Sequence, residues 1–262
     1  MIFVRSLIFN ILFYLNLIGR MIIFTPIYFI VSREKAWFVP KNWALSNHWL
    51  MKHIVGCDYT IEGLEHIQGR ACIIAPKHQS FWDAYAFVPF IPDAIYILKR
   101  ELMWIPLFGW YLAKMKMIPV HRGSRTVALK SIVRGAQPAI ADGRQIMIYP
   151  EGTRRAPGEE PAYKYGIAHL YYELGIPVVP IAHVAGLFWP RRKFMRYPGT
   201  IKCRVLAPIE PGLSKEEFLE KLKTVTEAAC DEFLIEAATG ANPPPLPESA
   251  RRRLNELGVT LS

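Results

Sequence analysis

The chain has 262 residues and a formal net charge of +10, and 52% of its residues are hydrophobic. This length suits one domain or one domain with appendages, and this composition can bury a large core. The basic charge suggests an anionic partner, but the sequence has no zinc-finger spacing and no continuous basic helix, which argues against nucleic acid. Anionic lipid or an anionic small substrate remains.

The cysteines give no sign of a metal site. They lie far apart in the chain and form no CxxC pair, which argues against both a zinc site and a disulfide framework. They are Cys57, Cys72, Cys203 and Cys230. Cysteines without apparent disulfide partners fit a reducing compartment, on the cytoplasmic side of a membrane.

The first 31 residues form the most apolar part of the chain. Ile2–Val31 is apolar except for Arg5, Arg20 and a few small polar residues. The run is long enough to span a bilayer, and it is too long and too aromatic for a secretory signal. Arg20 splits the run and Pro26 would kink it, so two arrangements stay open: a tilted spanning helix, or a monotopic insertion in one leaflet. Membrane attachment is predicted in either case.

The next segment, Lys35–Ile54, alternates tryptophans with cationic residues. This pattern is typical of a membrane interface, and the alternative is a plain amphipathic helix that covers the core. His48 and His53 have no acidic helper in this segment, so we expect both to be surface residues.

From Asp58 onward, short apolar runs alternate with helical periodicity, which predicts an α/β fold with a mixed, largely parallel sheet flanked by helices. The predicted strands are Tyr59–Glu62, Cys72–Ala75, Ala94–Leu98, Met117–Val120, Gln145–Tyr149, Val178–Ala182 and Ile201–Leu206. The predicted helices are Phe81–Phe90, Pro106–Ala113, Arg125–Ala141, Gly166–Leu174 and Ser214–Ala238.

Composition divides the chain into three parts. We expect membrane-attachment and interfacial helices in residues 1–56, the α/β domain in 57–239, and a proline-rich linker with a basic C-terminal helix in 240–262. The linker Asn242–Pro247 is predicted to be stiff and extended. The final helix is expected from about Glu248 to Leu257.

The first candidate for chemistry is the stretch from His78 to Asp83, which follows the strand ending at Ala75. If the histidine lies on the loop and the acid lies in the first helical turn, the carboxylate can hold one ring nitrogen. The other nitrogen can then take a proton from a substrate. The alternative is a capping box made by Ser80 and Asp83, with His78 as an ordinary loop residue.

The second candidate is Pro150–Arg155, which follows the strand Gln145–Tyr149. Gly152 permits a tight backbone conformation that exposes amide groups, Thr153 offers a hydroxyl, and Arg154 offers a planar guanidinium suited to phosphate. A phosphate cradle is one interpretation of this stretch. A turn with solvated arginines is the other.

The two stretches together, an HxxxxD loop and a later Pro-Glu-Gly-Thr-Arg loop, resemble the glycerolipid acyltransferases and above all the 1-acylglycerol-3-phosphate O-acyltransferases. Further blocks agree at Met117–Arg122, Tyr163–Gly166 and Val178–Ile181, so the resemblance covers roughly Asp58 to Leu206. One departure is a proline in the block before Arg122, where many members carry an aspartate before the arginine.

The resemblance implies a role for each matching residue. His78 would be the general base on the acceptor hydroxyl, and Asp83 would orient it and stabilise its charge. The hydroxyl would attack the thioester directly without a covalent acyl-enzyme, so Ser80 would not be a nucleophile. The glycerophosphate would be held by Glu151, Gly152, Thr153 and Arg154, with Arg122 assisting and with Lys99 and Arg100 as weaker candidates.

The reaction implied is transfer of a fatty acyl group from acyl-CoA or acyl carrier protein to the sn-2 hydroxyl of lysophosphatidate, giving phosphatidate. Neither a metal nor a cofactor is expected, and a membrane lipid surface is the expected partner. We expect the cell inner membrane with the catalytic domain on the cytoplasmic side, because Arg33, Lys35 and Lys41 flank the apolar run. The sequence does not indicate an oligomeric state.

Other functions stay open at this point. The acceptor could be another lyso-lipid, such as a lyso-ornithine lipid, or glycerol 3-phosphate. A different class is a lipid hydrolase in which His78 and Asp83 activate water. A third class is a non-catalytic, membrane-anchored lipid-binding protein.

Overall fold

The computed structural model describes residues 1–120 and 125–260. In that part of the chain the strands are β1 Cys57–Glu62, β2 Ile73–Pro76, β3 Ala94–Lys99, β4 Ile118–Val120, β5 Gln145–Met147, β6 Val178–His183 and β7 Gly199–Val205. The α-helices are α1 Ile2–Ile30, α2 Arg33–Ala36, α3 Phe38–Leu50, α4 Asp83–Ala86, α5 Phe108–Lys114, α6 Arg125–Ala141, α7 Tyr165–Leu174, α8 Ala185–Phe188, α9 Lys215–Thr239 and α10 Glu248–Glu256. Shorter helical turns lie at Met51–Val55, Leu64–Ile67 and Arg100–Trp104.

The described strands form a seven-stranded sheet in the order β1-β7-β6-β2-β5-β3-β4. The neighbours from β6 to β4 are all parallel, whereas β7 is antiparallel to β6 and parallel to β1. The prediction of a mixed, largely parallel sheet flanked by helices is therefore confirmed. Because parallel strands end at a common edge, the loops that follow β2, β3, β5 and β6 meet at one edge of the sheet.

Alternate residues of β2 point to opposite faces of the sheet, and each face carries its own hydrophobic cluster. Ile74 packs into a cluster formed by α1, α3, α5 and the second half of α9. Ile73 and Ala75 pack into the other, formed by α6, α7 and the first half of α9. Such burial on both faces explains why β2 reads as a continuous apolar run in the sequence.

The predicted helix Phe81–Phe90 is wrong in length, because the structure has an α-helix only at α4, Asp83–Ala86, followed by turns. The cause lies in the sequence at Pro89. Proline supplies no amide hydrogen and disfavours the helical conformation of the preceding residue, Val88. The helix therefore ends soon after the acid that it carries.

Helix α1 runs unbroken through Arg20, which interrupts its apolar sequence, and through Pro26. The Arg20 guanidinium donates to Oδ1 of Asn16 at 2.7 Å and to Oδ1 of Asn42 at 2.6 Å. These polar partners offset part of the cost of a cation within an apolar helix. Among the described residues, α1 is the helix long and apolar enough to cross a membrane, and 11% of its most apolar stretch is buried. Its exposed apolar side chains suit membrane association.

His48 is buried, which corrects the expectation that it is a surface residue. Its side chain lies on the inner stripe of α3 and the following turn, with Ala44 and Met51, so helical spacing turns it inward. Its ring centroid lies 4.1 Å from that of Tyr59, and its Nε2 lies 3.3 Å from the carbonyl oxygen of Ala86. His53 is exposed, as expected.

Candidate active site

The site forms where β2, β5 and β6 end side by side. β2 lies between β5 and β6, with Ile74 in register with Met147 on one side and with Val179 on the other. The chain leaves β2 at Pro76 and reaches His78 two residues later. The loops that contain the two sequence motifs are therefore brought together by strand order, although about 70 residues of chain separate them.

His78 and Asp83 form a hydrogen-bonded pair, with His78 Nδ1 2.8 Å from Asp83 Oδ1. The other carboxylate oxygen, Oδ2, accepts hydrogen bonds from the backbone amides of Gln79 at 2.8 Å and Ser80 at 2.7 Å. A carboxylate held in this way can only accept from the imidazole, so Nδ1 carries the proton and Nε2 carries the lone pair. This is the arrangement of a general base with an orienting acid.

Asp83 is fully buried, yet it remains the ionised member of the pair. Burial opposes ionisation of its carboxyl group, but His78, His183 and the Ser80 amide outweigh that cost and hold its pKa below the usual value. A buried anion surrounded by donors forms a fixed electrostatic partner for an imidazole that gains a proton.

His183, at the end of β6, lies behind the pair. Its Nε2 donates to the carbonyl oxygen of Lys77 at 2.8 Å, and its Nδ1 accepts from the amide of Ala185 at 3.3 Å. Burial lowers its pKa below the usual value. With both nitrogens engaged and no solvent exposure, His183 supports the loop that carries His78 and takes no direct part in proton transfer.

Tyr149 covers one face of the His78 ring. The two ring centroids are 3.9 Å apart with planes inclined by 23°. The Tyr149 hydroxyl donates to the carbonyl oxygen of Asp83 at 3.0 Å. Tyr149 therefore holds the ring of His78 by one face. The His78 side chain is still 14% exposed, so an edge of the ring stays accessible.

The second motif forms a turn directly beside this pair. Gly152 adopts a positive φ of 65°, and its amide donates to the carbonyl oxygen of Tyr149 at 3.0 Å. Thr153 is exposed. The amide of Arg155 donates to the carbonyl oxygen of His78 at 2.9 Å, which ties the two loops together. The turn therefore presents a hydroxyl and an arginine next to the candidate base.

Arg154 lies over the ring of Phe81, with its Cζ 5.2 Å from the ring centroid. Its Nε is buried and has no hydrogen-bond partner within the described part of the chain. The residue as a whole is partly exposed, and a guanidinium that is held by an aromatic face suits an anionic group of a substrate.

Glu151 is placed differently from its neighbours in the motif. It is 1% exposed, and its Oε1 lies 3.2 Å from Nζ of the buried Lys77, which also contacts Oε1 of Glu227 at 2.7 Å. Burial raises the pKa of Glu151, whereas the two carboxylates outweigh burial at Lys77 and raise the pKa of its ammonium group. The expectation that Glu151 contacts phosphate thus gives way to a role in holding the loop, because the carboxylate is buried and its Oε1 is paired with Lys77, while Oε2 has no hydrogen-bond partner among the described residues.

The weaker phosphate candidates lie at the same edge but farther along the sheet. Lys99 and Arg100 are exposed at the end of β3, which is separated from β2 by β5. The Arg100 guanidinium lies 6.0 Å from the ring centroid of Trp104. Arg122 lies outside the described residues.

Ser80 is not placed as a nucleophile. It is fully buried, and its hydroxyl donates to the carbonyl oxygen of Trp189 at 2.8 Å while accepting from the amide of Trp82 at 3.1 Å. Among residues 1–120 and 125–260, no group of three or more histidine, cysteine, aspartate or glutamate side chains is arranged to hold a metal ion.

Sequence reasoning missed three residues of this site: Lys77, Tyr149 and His183. Lys77 and Tyr149 adjoin the motifs, so proximity along the chain was a usable signal. His183 had no such signal, because its place behind Asp83 depends on β6 being the neighbour of β2.

Comparison with known proteins adds independent evidence. Residues 58–184 match the acyltransferase family. The chain is 36% identical over 204 residues to the 1-acyl-sn-glycerol-3-phosphate acyltransferase of Pseudomonas aeruginosa, covering 76% of this chain and 79% of that protein. It is 29% identical over 170 residues to the protein of the same name from Cocos nucifera, covering 64% of this chain and 55% of that protein.

A solved structure shares the fold. The 1-acyl-sn-glycerophosphate (LPA) acyltransferase PlsC from Thermotoga maritima superposes with a TM-score of 0.74, covering 88% of this chain and 97% of that chain. The sequence identity between the two is 22%. The likeness extends beyond the central sheet to most of the chain.

Proposed function

The chain belongs to the family of the 1-acyl-sn-glycerol-3-phosphate acyltransferases, and we propose that it transfers a fatty acyl group to the free sn-2 hydroxyl of lysophosphatidate, giving phosphatidate. The observation that carries this proposal is the His78–Asp83 pair, with Nδ1 2.8 Å from Oδ1, tied by the Arg155 amide to a loop that presents Arg154. A base beside a cation suits a hydroxyl acceptor that carries a phosphate.

The reaction proceeds by general-base catalysis. Nε2 of His78 takes the proton of the acceptor hydroxyl as its oxygen attacks the thioester carbonyl carbon. The tetrahedral intermediate then expels the thiolate, and the proton on Nε2 passes to the leaving sulfur. Asp83 stabilises the imidazolium that forms between these steps, since its carboxylate is already ionised and fixed by two backbone amides. General-base assistance of this kind supplies about 10²–10⁴-fold in rate.

The acyl donor is a thioester, either acyl-CoA or acyl carrier protein, and it is a substrate of the reaction. The proposal requires neither a metal nor a cofactor, because the base and the phosphate contact are protein side chains. Arg154 and Thr153 hold the phosphate, with Arg122 assisting, and Gly152 gives their turn its shape through its positive φ of 65°. Lys99 and Arg100 are secondary candidates for the same group.

The lipid acceptor explains the apolar N-terminus. The helix α1 brings the enzyme to a membrane surface, where a single-chain lipid resides. Arg33, Lys35 and Lys41 follow this helix, so we place the protein at the inner membrane with its catalytic part on the cytoplasmic side.

The test is acyl transfer from labelled acyl-CoA and acyl carrier protein, with lysophosphatidate, glycerol 3-phosphate and lyso-ornithine lipid as parallel acceptors. The proposal is supported if lysophosphatidate gives product with the wild-type protein, and if the H78A variant gives none although it still binds membranes. Product with another acceptor alone would reassign the substrate. Release of fatty acid or phosphate without an acceptor would indicate a hydrolase, and binding without any turnover would indicate a lipid-binding protein.

A further inference from the structure

Between β3 and β4 the chain presents large apolar side chains to solvent. Trp104 is 67% exposed, Ile105 is 46% exposed and Trp110 is 57% exposed. Burying such side chains would contribute about 25 cal/mol per Å² of apolar surface, so their exposure leaves a sizeable driving force unused. Clustered exposure of this kind marks an interaction surface more often than a solvated loop.

The turn that carries these residues has a defined, strained geometry. Leu107 has φ 62° and ψ −58°, and the amide of Phe108 donates to the carbonyl oxygen of Pro106 at 2.7 Å. This is a γ-turn with positive φ at its centre, which is rare and strained for a residue with a side chain. A Cβ atom on Gly109 would lie 2.0 Å from the carbonyl oxygen of Met103, so the backbones pack closely. The structure therefore fixes the direction in which the apolar side chains project.

This turn is attached to the apolar helix α1. Tyr111 stacks on Tyr28, with ring centroids 3.9 Å apart and planes inclined by 16°. Nζ of Lys114 donates to the carbonyl oxygens of Phe29 at 3.2 Å and Val31 at 2.7 Å. The neighbouring turns of α1 also expose apolar side chains: Ile22, Ile23, Ile27, Phe29 and Ile30. The exposed apolar surface of α1 thus continues onto the segment after β3.

Cationic side chains adjoin this surface along the chain. The Arg100 guanidinium lies against Trp104, and Lys99 and Lys116 are exposed, while Glu101 is the acidic residue among them. Tryptophan beside arginine and lysine is the combination that suits the interface of a membrane with anionic headgroups. We propose that Trp104, Ile105 and Trp110 form a second membrane contact beside α1, docked on an anionic lipid surface.

This contact deepens the proposed function, on which it rests, by naming the surface from which the site takes its lipid acceptor. The segment follows β3 at the same sheet edge at which His78 follows β2. Docking through both α1 and this segment turns that edge toward the lipid. A contact through α1 alone would leave the protein free to rotate about the helix axis.

The native cysteines permit a direct test, because Cys57, Cys72, Cys203 and Cys230 are all buried. A single cysteine is introduced in the full chain as W104C or W110C and is labelled with an environment-sensitive fluorophore. The matched control is Y172C, which replaces a 61% exposed aromatic residue on α7, packed on the opposite face of the sheet. Vesicles of phosphatidylethanolamine and phosphatidylglycerol, with and without doxyl-labelled lipid, are the probe.

We expect the labels at positions 104 and 110 to shift to an apolar environment and to be quenched about twofold or more by doxyl lipid, since interfacial side chains enter about 5–10 Å. The label at position 172 should stay in water. The proposal would be overturned if the labels at both test positions stay in water. This outcome counts only for chains that sediment with the vesicles and retain the wild-type circular dichroism spectrum. So would equal quenching at all three positions. The readout does not involve acyl transfer, so docking and the proposed function can fail separately.

Discussion

The guanidinium of Arg154 and the ring of Phe81 are in contact, with Cζ 5.2 Å from the ring centroid. Phe81 in turn stacks on Trp189, with centroids 6.0 Å apart and planes inclined by 28°. Trp189 also meets Phe9 of α1 edge to face, at 5.3 Å. Arg154, which is proposed to hold the phosphate, is thus connected to the apolar helix α1 through a series of aromatic rings. Phe81 is the ring in this series that contacts the arginine.

Replacing Phe81 with leucine should weaken acceptor binding, because Arg154 would lose its aromatic support. A cation–π contact contributes about 0.5–2 kcal/mol, so we expect KM for lysophosphatidate to rise about 2- to 30-fold while kcat changes little. The measurement is steady-state kinetics on vesicle-presented acceptor. F81Y keeps the ring and is the matched control, which should stay close to wild type. Equal rises in KM for F81L and F81Y would contradict the role of the ring.

The substitution D83N should lower kcat by about 10²-fold or more without unfolding the protein. The asparagine oxygen can still accept from the Gln79 and Ser80 amides, but its amino group then faces Nδ1 of His78. That contact forces Nδ1 to accept and moves the ring proton to Nε2, where the base is needed. Single-turnover rates of D83N, compared with H78A and wild type, check this expectation. The expected loss is about 10²-fold, so a D83N rate within about threefold of the wild-type rate would show that the orienting acid is dispensable.

Gly158 is predicted to be essential for docking the C-terminal helix. It has φ 74°, and a Cβ atom would lie 2.6 Å from the carbonyl oxygen of Ser249, at the start of α10. Gly143 has nearly the same φ, 72°, with open space around it, and so provides the control. We expect G143A to cost about 1 kcal/mol of unfolding free energy and G158A to cost about 2 kcal/mol more.

Thermal unfolding and limited proteolysis check this pair of variants. G158A should release the segment after residue 240 to protease, whereas G143A should not. Equal stability and equal cleavage of the two variants would show that the contact between Gly158 and α10 does not contribute.

His48 should make the protein less stable in mild acid. Burial lowers the pKa of its imidazole to about 4 from an ordinary value of 6.5. Between these values the unfolded chain binds a proton that the folded chain does not, so unfolding becomes more favourable as pH falls through this window. The accumulated loss by pH 4 is about 3 kcal/mol from this group.

The variant H48F keeps an aromatic ring against Tyr59 and removes the titration. The measurement is the free energy of unfolding by denaturant in a neutral detergent. It is repeated at several pH values between about 4 and 7, a range that covers the two pKa values of this imidazole. The stability of H48F relative to wild type should increase steadily as pH falls. A constant difference across the window would indicate that His48 titrates normally in the folded protein.

Much of the fold could be predicted from local patterns. All seven described strands lie within two residues of their predicted bounds at each end. The central strands β2, β5 and β6 are buried on both faces and read as apolar runs, whereas β7 alternates buried and partly exposed residues. Helix α6, Arg125–Ala141, has its predicted bounds. The helix from Phe81 was predicted too long, because the periodicity of its apolar residues continues past Pro89 while the backbone cannot.

The sequence by itself determined the base and its acid, because His78 and Asp83 are close enough along one loop for local geometry to join them. Tertiary structure alone decided which distant residues join that pair. Tyr149 stacks on His78, and His183 lies 3.9 Å from Asp83, because β5 and β6 flank β2. Strand order depends on the packing of the whole chain, and no local pattern encodes it. For the same reason, the motif predicts that Glu151 contacts phosphate, whereas in the structure its Oε1 is paired with Lys77, a residue 74 positions away.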